Sequence, residues 1–193
     1  AIRLAGGKVV AISDSGSGTS EKFCAQNDIS FSSRSLTNLL DWGKFDYLLV
    51  AIPPNVQKDA VIDGLDCGVN VLCEKPFGIS KSDAVEMEIQ RKKVNKLGFV
   101  NYQFRFDPAF ELLKHQLATE CIGRVLRIEV RWLTSGKAEP YVSSRTFHHD
   151  KQLGGGALLS FMSHVINYVP WLLNKQITKL DKQTNTFFHQ RKN

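Results

Sequence analysis

Short apolar runs rich in Val, Ile and Leu alternate along this chain with longer amphipathic stretches, and glycine or proline separates most of them. "AIRLAGG" (1–7) reads as the last turn of a helix stopped at Gly6 or Gly7. "KVVAISD" (8–14) is a strand ending on Asp14, and beyond a polar glycine turn "SEKFCAQN" is a short helix. "DYLLVAIPP" (46–54) is a second strand, stopped by two prolines, and "VQKDAVIDGLDCG" (56–68) a helix leading to the strand "NVLCEKP" (70–76). Ser80 as N-cap with Asp83 three residues on predicts a helix over 80–95. "LGFVNYQFRF" (97–106) is another strand, and Asp107-Pro108 opens the helix "PAFELLKHQLATE" as N-cap and first helical residue.

Strand and helix thus alternate at a spacing of about 25 residues, and the strands are nearly continuous apolar runs. Such strands are expected to be buried on both faces, in a parallel sheet of βαβ units with helices on either side. From about residue 123 the pattern changes. "GRVLRIEVRWLTS" sets Val125, Arg127, Glu129 and Arg131 against Leu126, Ile128, Val130 and Trp132, the period of a sheet with one polar face and one covered face. A domain change is therefore placed near residue 120, with 1–120 as a first domain and 121–193 as the start of a second. A loop (135–153), Gly154-Gly155-Gly156, a helix to about 173 and a strand-like piece over 176–188 follow. The helix end at residue 1 and the incomplete second layer lead us to expect chain on both sides of the sequence.

The 193 residues carry a net charge of +6, an excess that suits an anionic ligand or simple solubility, and no basic, aromatic-interleaved stripe points to nucleic acid. Cys24, Cys67, Cys73 and Cys121 show neither CxxC spacing nor a nearby histidine pair, which speaks against disulfides and metal and for a reducing, cytoplasmic setting. The longest apolar run, "ALLSFMSHVINYVPWLL" (157–173), contains Ser, His, Asn and Pro and is not read as spanning a membrane.

Chemistry has three places to sit. An acidic residue ending a strand, as Asp14 does, accepts ribose hydroxyls in dinucleotide-binding folds, or else is a turn residue. There the glycine fingerprint precedes it by about 20 residues, so here it would lie before residue 1; "SGSGTS" (15–20) lacks the spacing and is a polar turn. The strand ends "AIPPN" (51–55) and "EKP" (74–76) fall where open parallel sheets take ligands, and Lys75 is their one cation. It is either a solvated strand end or a group that polarises a substrate oxygen, and Pro76 keeps it out of the next helix. On the 157–173 helix, Gly156, Ser160, Ser163, His164, Asn167 and Trp171 share a narrow stripe at 100° per residue. Buried polar groups need partners, at about 1–3 kcal/mol each when they lack them. His164 is a candidate general base, or a satisfied structural histidine. Pro170 should loosen the helix's last turn.

The segments "VVAISD", "AIPPNVQKDAVIDGLDCGVNVLCEKPFGIS", "GFVNYQFRFDPAFELLKHQLATECIGRVLRIEV" and "GGGALLSFMSHVINYVPWLL" resemble, in this order, the glucose–fructose oxidoreductase, inositol dehydrogenase and MocA (Gfo/Idh/MocA) family of NAD(P)-dependent oxidoreductases. The resemblance implies a Rossmann-like parallel sheet, here without its first strand and glycine loop, followed by part of an α+β domain. The largely antiparallel sheet of that second domain often mediates dimers or tetramers. It implies that Lys75 hydrogen-bonds the reacting oxygen and that His164 takes or gives the hydroxyl proton. By the same resemblance Asp14, Ala51, Ile52, Pro53, Pro54, Asn55, Glu74, Lys75 and Gln103 line the cofactor, while Lys75, Ser160, Ser163, His164 and Asn167 face the substrate. Three positions depart from the family: Ser160 stands where an aspartate is frequent, Asn167 likewise, and Gln57 where many members have histidine.

The expected activity is hydride transfer between NAD(P) and a secondary alcohol or ketone of a sugar, cyclitol or sugar derivative, with substrate between the strand tips and the helix stripe. This stretch alone, without the glycine loop and first strand, is expected to bind dinucleotide poorly and to be inactive. Asp14 favours NAD because a carboxylate repels a 2′-phosphate; Ser13 and Ser15 leave NADP open. A homodimer or homotetramer through the second sheet is expected, with no metal, membrane or nucleic acid. The rivals are a dinucleotide-binding family member without catalysis and a basic nucleic-acid-binding module resting on the charge and the tail 182–193.

Overall fold

Glycines in the left-handed region and capping side chains set several element boundaries. In the computed structural model, which describes residues 2–14, 16, 18–134 and 146–185, Gly6 at φ 80° ends a 3-10 turn over Arg3–Ala5. Ser80 accepts from the Asp83 amide while Asp83 accepts from the Ser80 amide, and this reciprocal cap opens α4 (Lys81–Val94). Asp107 accepts from the Ala109 amide and Pro108 begins α5 (Pro108–Ala118). The other elements are β1 (Ala11–Ser13), α1 (Ser20–Gln26), β2 (Phe31–Ser33), α2 (Leu36–Trp42), β3 (Tyr47–Val50), α3 (Pro54–Asp66), β4 (Asn70–Glu74), β5 (Gly98–Asn101) and α6 (Ser163–Leu173).

The chain forms two compact units. One comprises residues 1–52, 56–73 and 80–100; the other comprises 53–55, 74–79 and 101–193. The change of style near residue 120 falls inside the second unit, which also takes in the tips 53–55 and 74–79.

In the first unit β1 and β2 pair in parallel with Ala11 opposite Phe31, and β3, β4 and β5 form a second sheet in which β3 runs parallel to β4. Leu48, Val50, Val71 and Cys73 are buried together with Ala60, Val61 and Leu65 of α3 and Met87 of α4. A glycine sets how closely α3 approaches: a Cβ on Gly64 would lie 2.7 Å from Leu48 Cδ2 and 3.4 Å from Val71 Cγ2. Burying side chains of this size stabilises by about 1.5–3 kcal/mol each. The alternate residues Tyr47 and Leu49 are 58% and 45% exposed, so the described sheet is covered on one face, not on both as the apolar runs suggest. Residues 28–45, which show no clear period, supply β2 and α2, tied by stacking of Phe31 on Trp42 at 4.9 Å.

The expected strand 97–106 is shorter than its apolar pattern, ending at Asn101 before the chain turns into a 3-10 helix at Gln103–Phe106 in the second unit. Phe104 and Phe110 meet Tyr168 at 5.9 and 4.9 Å, which joins α5 to α6. The triple glycine turns the chain into this helical run. Gly154, at φ +87°, sits where a Cβ would meet Pro54 at 2.7 Å and Ile79 at 2.9 Å, so a larger residue there would collide. Among the described residues no strand forms over 123–134 or 174–185. A strand requires a partner, and the alternating face of 125–132 is not uniformly covered: Ile128, Val130 and Trp132 are about 40% exposed while Leu126 of the same face is 81% exposed. The loop 135–145, Ser15 and the tail 186–193 lie outside the described residues.

Candidate active site

β4 ends on Glu74, and the chain then leaves the sheet through Lys75 and Pro76, joined by a cis peptide. The Glu74 carboxylate is held at both oxygens: Oε1 accepts from Asn101 Nδ2 at 2.6 Å and Oε2 from the Lys75 amide at 3.2 Å. With Glu74 so occupied, Lys75 turns its ammonium elsewhere, and Nζ donates to the main-chain oxygen of Ser160 at 3.0 Å. Burial pushes the Lys75 pKa down from its ordinary value, and the Glu74 charge opposes this only in part.

Ser160 lies in a π-helical turn, Leu158–Met162, that runs directly into α6. The Ser163 amide reaches five residues back to the Leu158 oxygen, so the Leu159 oxygen loses its ordinary α-helical donor. The Ser163 hydroxyl fills that place at 2.7 Å. A five-residue turn also rotates the residues beyond it. The stripe expected from a uniform 100° per residue therefore divides. Ser160 and His164 are buried, at 6% and 4% exposure, on the side of Lys75. Ser163 and Asn167 instead line a cleft of about 340 Å³ with Tyr102, Leu158, Leu159, Ile166 and Leu180. Asn167 Oδ1 accepts from Arg105 Nε at 2.9 Å. The run Lys151–Leu173 is long and apolar enough to cross a membrane by length and composition, and 22% of its most apolar stretch is buried.

His164 is enclosed by rings. Phe104 lies edge-on at 4.9 Å, Tyr102 edge-on at 6.0 Å, and Trp132 nearly parallel at 6.1 Å. Its Nδ1 is buried without a hydrogen-bond partner. Burial first, and then the Lys75 charge, lower the His164 pKa below the ordinary 6.5; Glu74 acts weakly the other way. Burial raises the Tyr102 phenol in turn. A neutral imidazole beside a half-buried ammonium can accept a proton from a hydroxyl that the ammonium orients.

The structure thus brings together Glu74, Lys75, Ser160 and His164 from the predicted set, and places Ser163 and Asn167 in the cleft beside them. Gln103 is exposed on the 3-10 turn. In the first unit, Asp14 directly follows β1, its Oδ1 accepting from the Gly16 amide at 3.0 Å, and Ala51 and Ile52 follow β3. Gln57 is fully buried and donates to the Ile52 oxygen at 3.3 Å. Sequence reasoning missed Asn101, Tyr102, Phe104 and Trp132. Asn101 carried a legible signal, a polar residue at a strand's carboxyl end. Trp132 carried none, since only the folded chain brings it to His164.

Comparisons with known proteins bear on the family and the fold. Residues 2–102 match the family described as "Oxidoreductase family, NAD-binding Rossmann fold", and residues 110–193 match the "GFO/IDH/MocA C-terminal domain". The chain is 26% identical over 152 residues to an uncharacterized oxidoreductase of Synechocystis, covering 79% of this chain and 41% of that protein. It is 24% identical over 174 residues to the 1,5-anhydro-D-fructose reductase of Ensifer adhaerens, covering 90% of this chain and 51% of that protein. The chain therefore spans about half or less of these relatives. The structure of a levoglucosan dehydrogenase in complex with NADH and levoglucosan superposes with a TM-score of 0.76 at 22% identity, over 86% of this chain and 45% of that one, which shows a shared fold. The chain belongs to the Gfo/Idh/MocA family of oxidoreductases, whose first domain is an NAD-binding Rossmann fold.

Proposed function

We propose that this protein takes part in hydride transfer between NAD(P) and a secondary alcohol or ketone of a sugar, cyclitol or sugar derivative, with Lys75 and His164 handling the substrate oxygen. The observation that carries this reading is the pairing of Lys75 and His164, from elements 90 residues apart in sequence, with the charged form of each disfavoured. Lys75 has three donors. One goes to the Ser160 oxygen, and the others can orient the substrate oxygen and stabilise negative charge on it. His164 takes the hydroxyl proton on a ring nitrogen during oxidation and returns it during reduction. The substrate carbon loses hydride as its C–O bond becomes double, so one hydride and one proton leave the alcohol. NAD supplies the hydride acceptor when bound.

The residues present fit that cofactor's adenosine end. Asp14 directly follows β1 with its carboxylate accepting from the next loop's Gly16 amide, the place from which a carboxylate receives ribose hydroxyls. Ala51, Ile52, Pro53, Pro54, Asn55, Glu74 and Gln103 would hold the remainder. Relatives named for 1,5-anhydro-D-fructose and levoglucosan support a sugar-like substrate. Ser163 and Asn167, on the cleft beside Tyr102, would receive its other hydroxyls.

Turnover of the full-length protein, measured on a panel of sugars and cyclitols with NAD and NADP, tests the reading. Lys75→Met should lower kcat by about 10²-fold or more while dinucleotide binding persists. Equal turnover in that variant would refute the mechanism. Dinucleotide binding with no turnover on any substrate would favour the non-catalytic member.

A further inference from the structure

Lys75 makes no ion pair among the described residues, and its ammonium is held by a neutral main-chain oxygen inside a helix. The helix is irregular at that point. The Ser163 amide bonds five residues back to Leu158, the Leu159 oxygen takes the Ser163 hydroxyl, and the next oxygen along, that of Ser160, takes Lys75. Two consecutive carbonyls thus accept side-chain donors at one π-turn, a feature that recurs at functional sites. The Ser160 amide stays in α-helical register with Gly156 at 3.0 Å, so the residue is fixed from its N-terminal side within the turn. Its side chain is buried, and no hydroxyl bond to Lys75 accompanies the carbonyl bond.

We propose that the π-turn at Leu158–Met162 positions Lys75 through the Ser160 carbonyl, and that the Ser160 hydroxyl is not the lysine's anchor. Ser160 is then a positioning residue acting through its main chain. The carbonyl orients the ammonium without neutralising it, which leaves the positive charge for the substrate oxygen. A carboxylate on the same turn would have drawn the charge to itself. The catalytic meaning of the anchor rests on the hydride-transfer reading; the anchor itself does not.

Amide-to-ester substitution tests it. Phenyllactic acid in place of Phe161 converts the Ser160–Phe161 amide to an ester and weakens the Ser160 oxygen as an acceptor. The hydroxy-acid analogue of Met162 weakens the Phe161 oxygen instead and serves as the control for the lost helix amide. Nitrogen-15 NMR of the Lys75 amine against pH is the readout, since a purely structural change would not move it selectively. The Phe161 ester should lower the Lys75 protonation constant on the order of threefold or more, as expected for weakening a bond to a charged donor. The Met162 ester and Ser160→Ala should leave that titration in place. A shift of equal size in the control ester, or a larger shift in Ser160→Ala, would overturn the inference. Because the readout needs no turnover, an inactive protein with the predicted titrations would refute the hydride-transfer reading and leave the anchor standing.

Discussion

His164 shows how a single ring nitrogen couples folding to chemistry. Burial and the Lys75 charge lower its folded pKa, whereas the unfolded chain titrates near the ordinary value of 6.5. Between those two values the unfolded state binds more protons, so stability falls as pH drops below about 6.5 and levels off below the folded pKa. Above 6.5 the contribution is fully present. The groups facing the ring are Lys75, Glu74 and Tyr102 together with the apolar Phe104 and Trp132. Urea midpoints measured from pH 8 down to pH 5 should decline for the native protein and decline less for His164→Gln. Parallel curves would mean that the ring titrates normally. For activity the same shift keeps the imidazole neutral to lower pH, which favours its service as a base. At this scale much was legible: Lys75 and His164 stood out because a cation at a strand tip and a polar stripe on an apolar helix each require an explanation, whereas Glu74 entered only through the family resemblance. The aromatic enclosure was not legible, because Phe104 and Trp132 read as ordinary core residues until the chain folds.

Among elements, helix ends were the most readable feature. Ser80, Asp83 and Asp107 act locally, and a cap requires only a side chain within three residues of an orphan amide. Ser80→Ala removes the hydroxyl that accepts from the Asp83 amide and leaves the Asp83 carboxylate to cap alone. We expect it to cost about 1 kcal/mol, read as a lower urea midpoint at unchanged slope. Glu88→Ala serves as the comparison on the same helix. Its ion pairs with Arg91 and Lys92 hold the carboxyl down at about 2, yet all three side chains are substantially exposed, so it should cost less than the cap. A larger loss from Glu88→Ala than from Ser80→Ala would contradict this order. The π-turn could not be read, because periodicity assumes a constant rotation per residue and Ser160 to Asn167 spans the place where that rotation changes. β2 and α2 escaped for a different reason: residues 28–45 carry no clear period of apolar positions, and the stacking of Phe31 on Trp42 that ties them forms only in the folded chain.

The molecule as a whole displays more apolar surface than its ordinary composition suggests. Tyr47, Leu49 and Phe99 are exposed on strands of the first unit, while Leu126 and Leu133 are exposed on the extended segment of the second. Strands written for burial on both faces and covered on one leave an adhesive surface, and the unaccompanied alternation of 125–132 leaves another. The chain should therefore self-associate, with a sedimentation coefficient that rises with concentration. Paired substitutions distinguish the two surfaces. If association runs through the sheet of the first unit, Leu49→Lys should suppress it and Leu133→Lys should not. If it runs through the second unit, where the family resemblance implies the oligomer forms, the reverse should hold. Leu49 alternates with the buried Leu48 and Val50, so its substitution leaves the packed face of β3 intact. A concentration-independent monomer would show that neither exposed surface is adhesive, and the +6 net charge would then be the term that prevails.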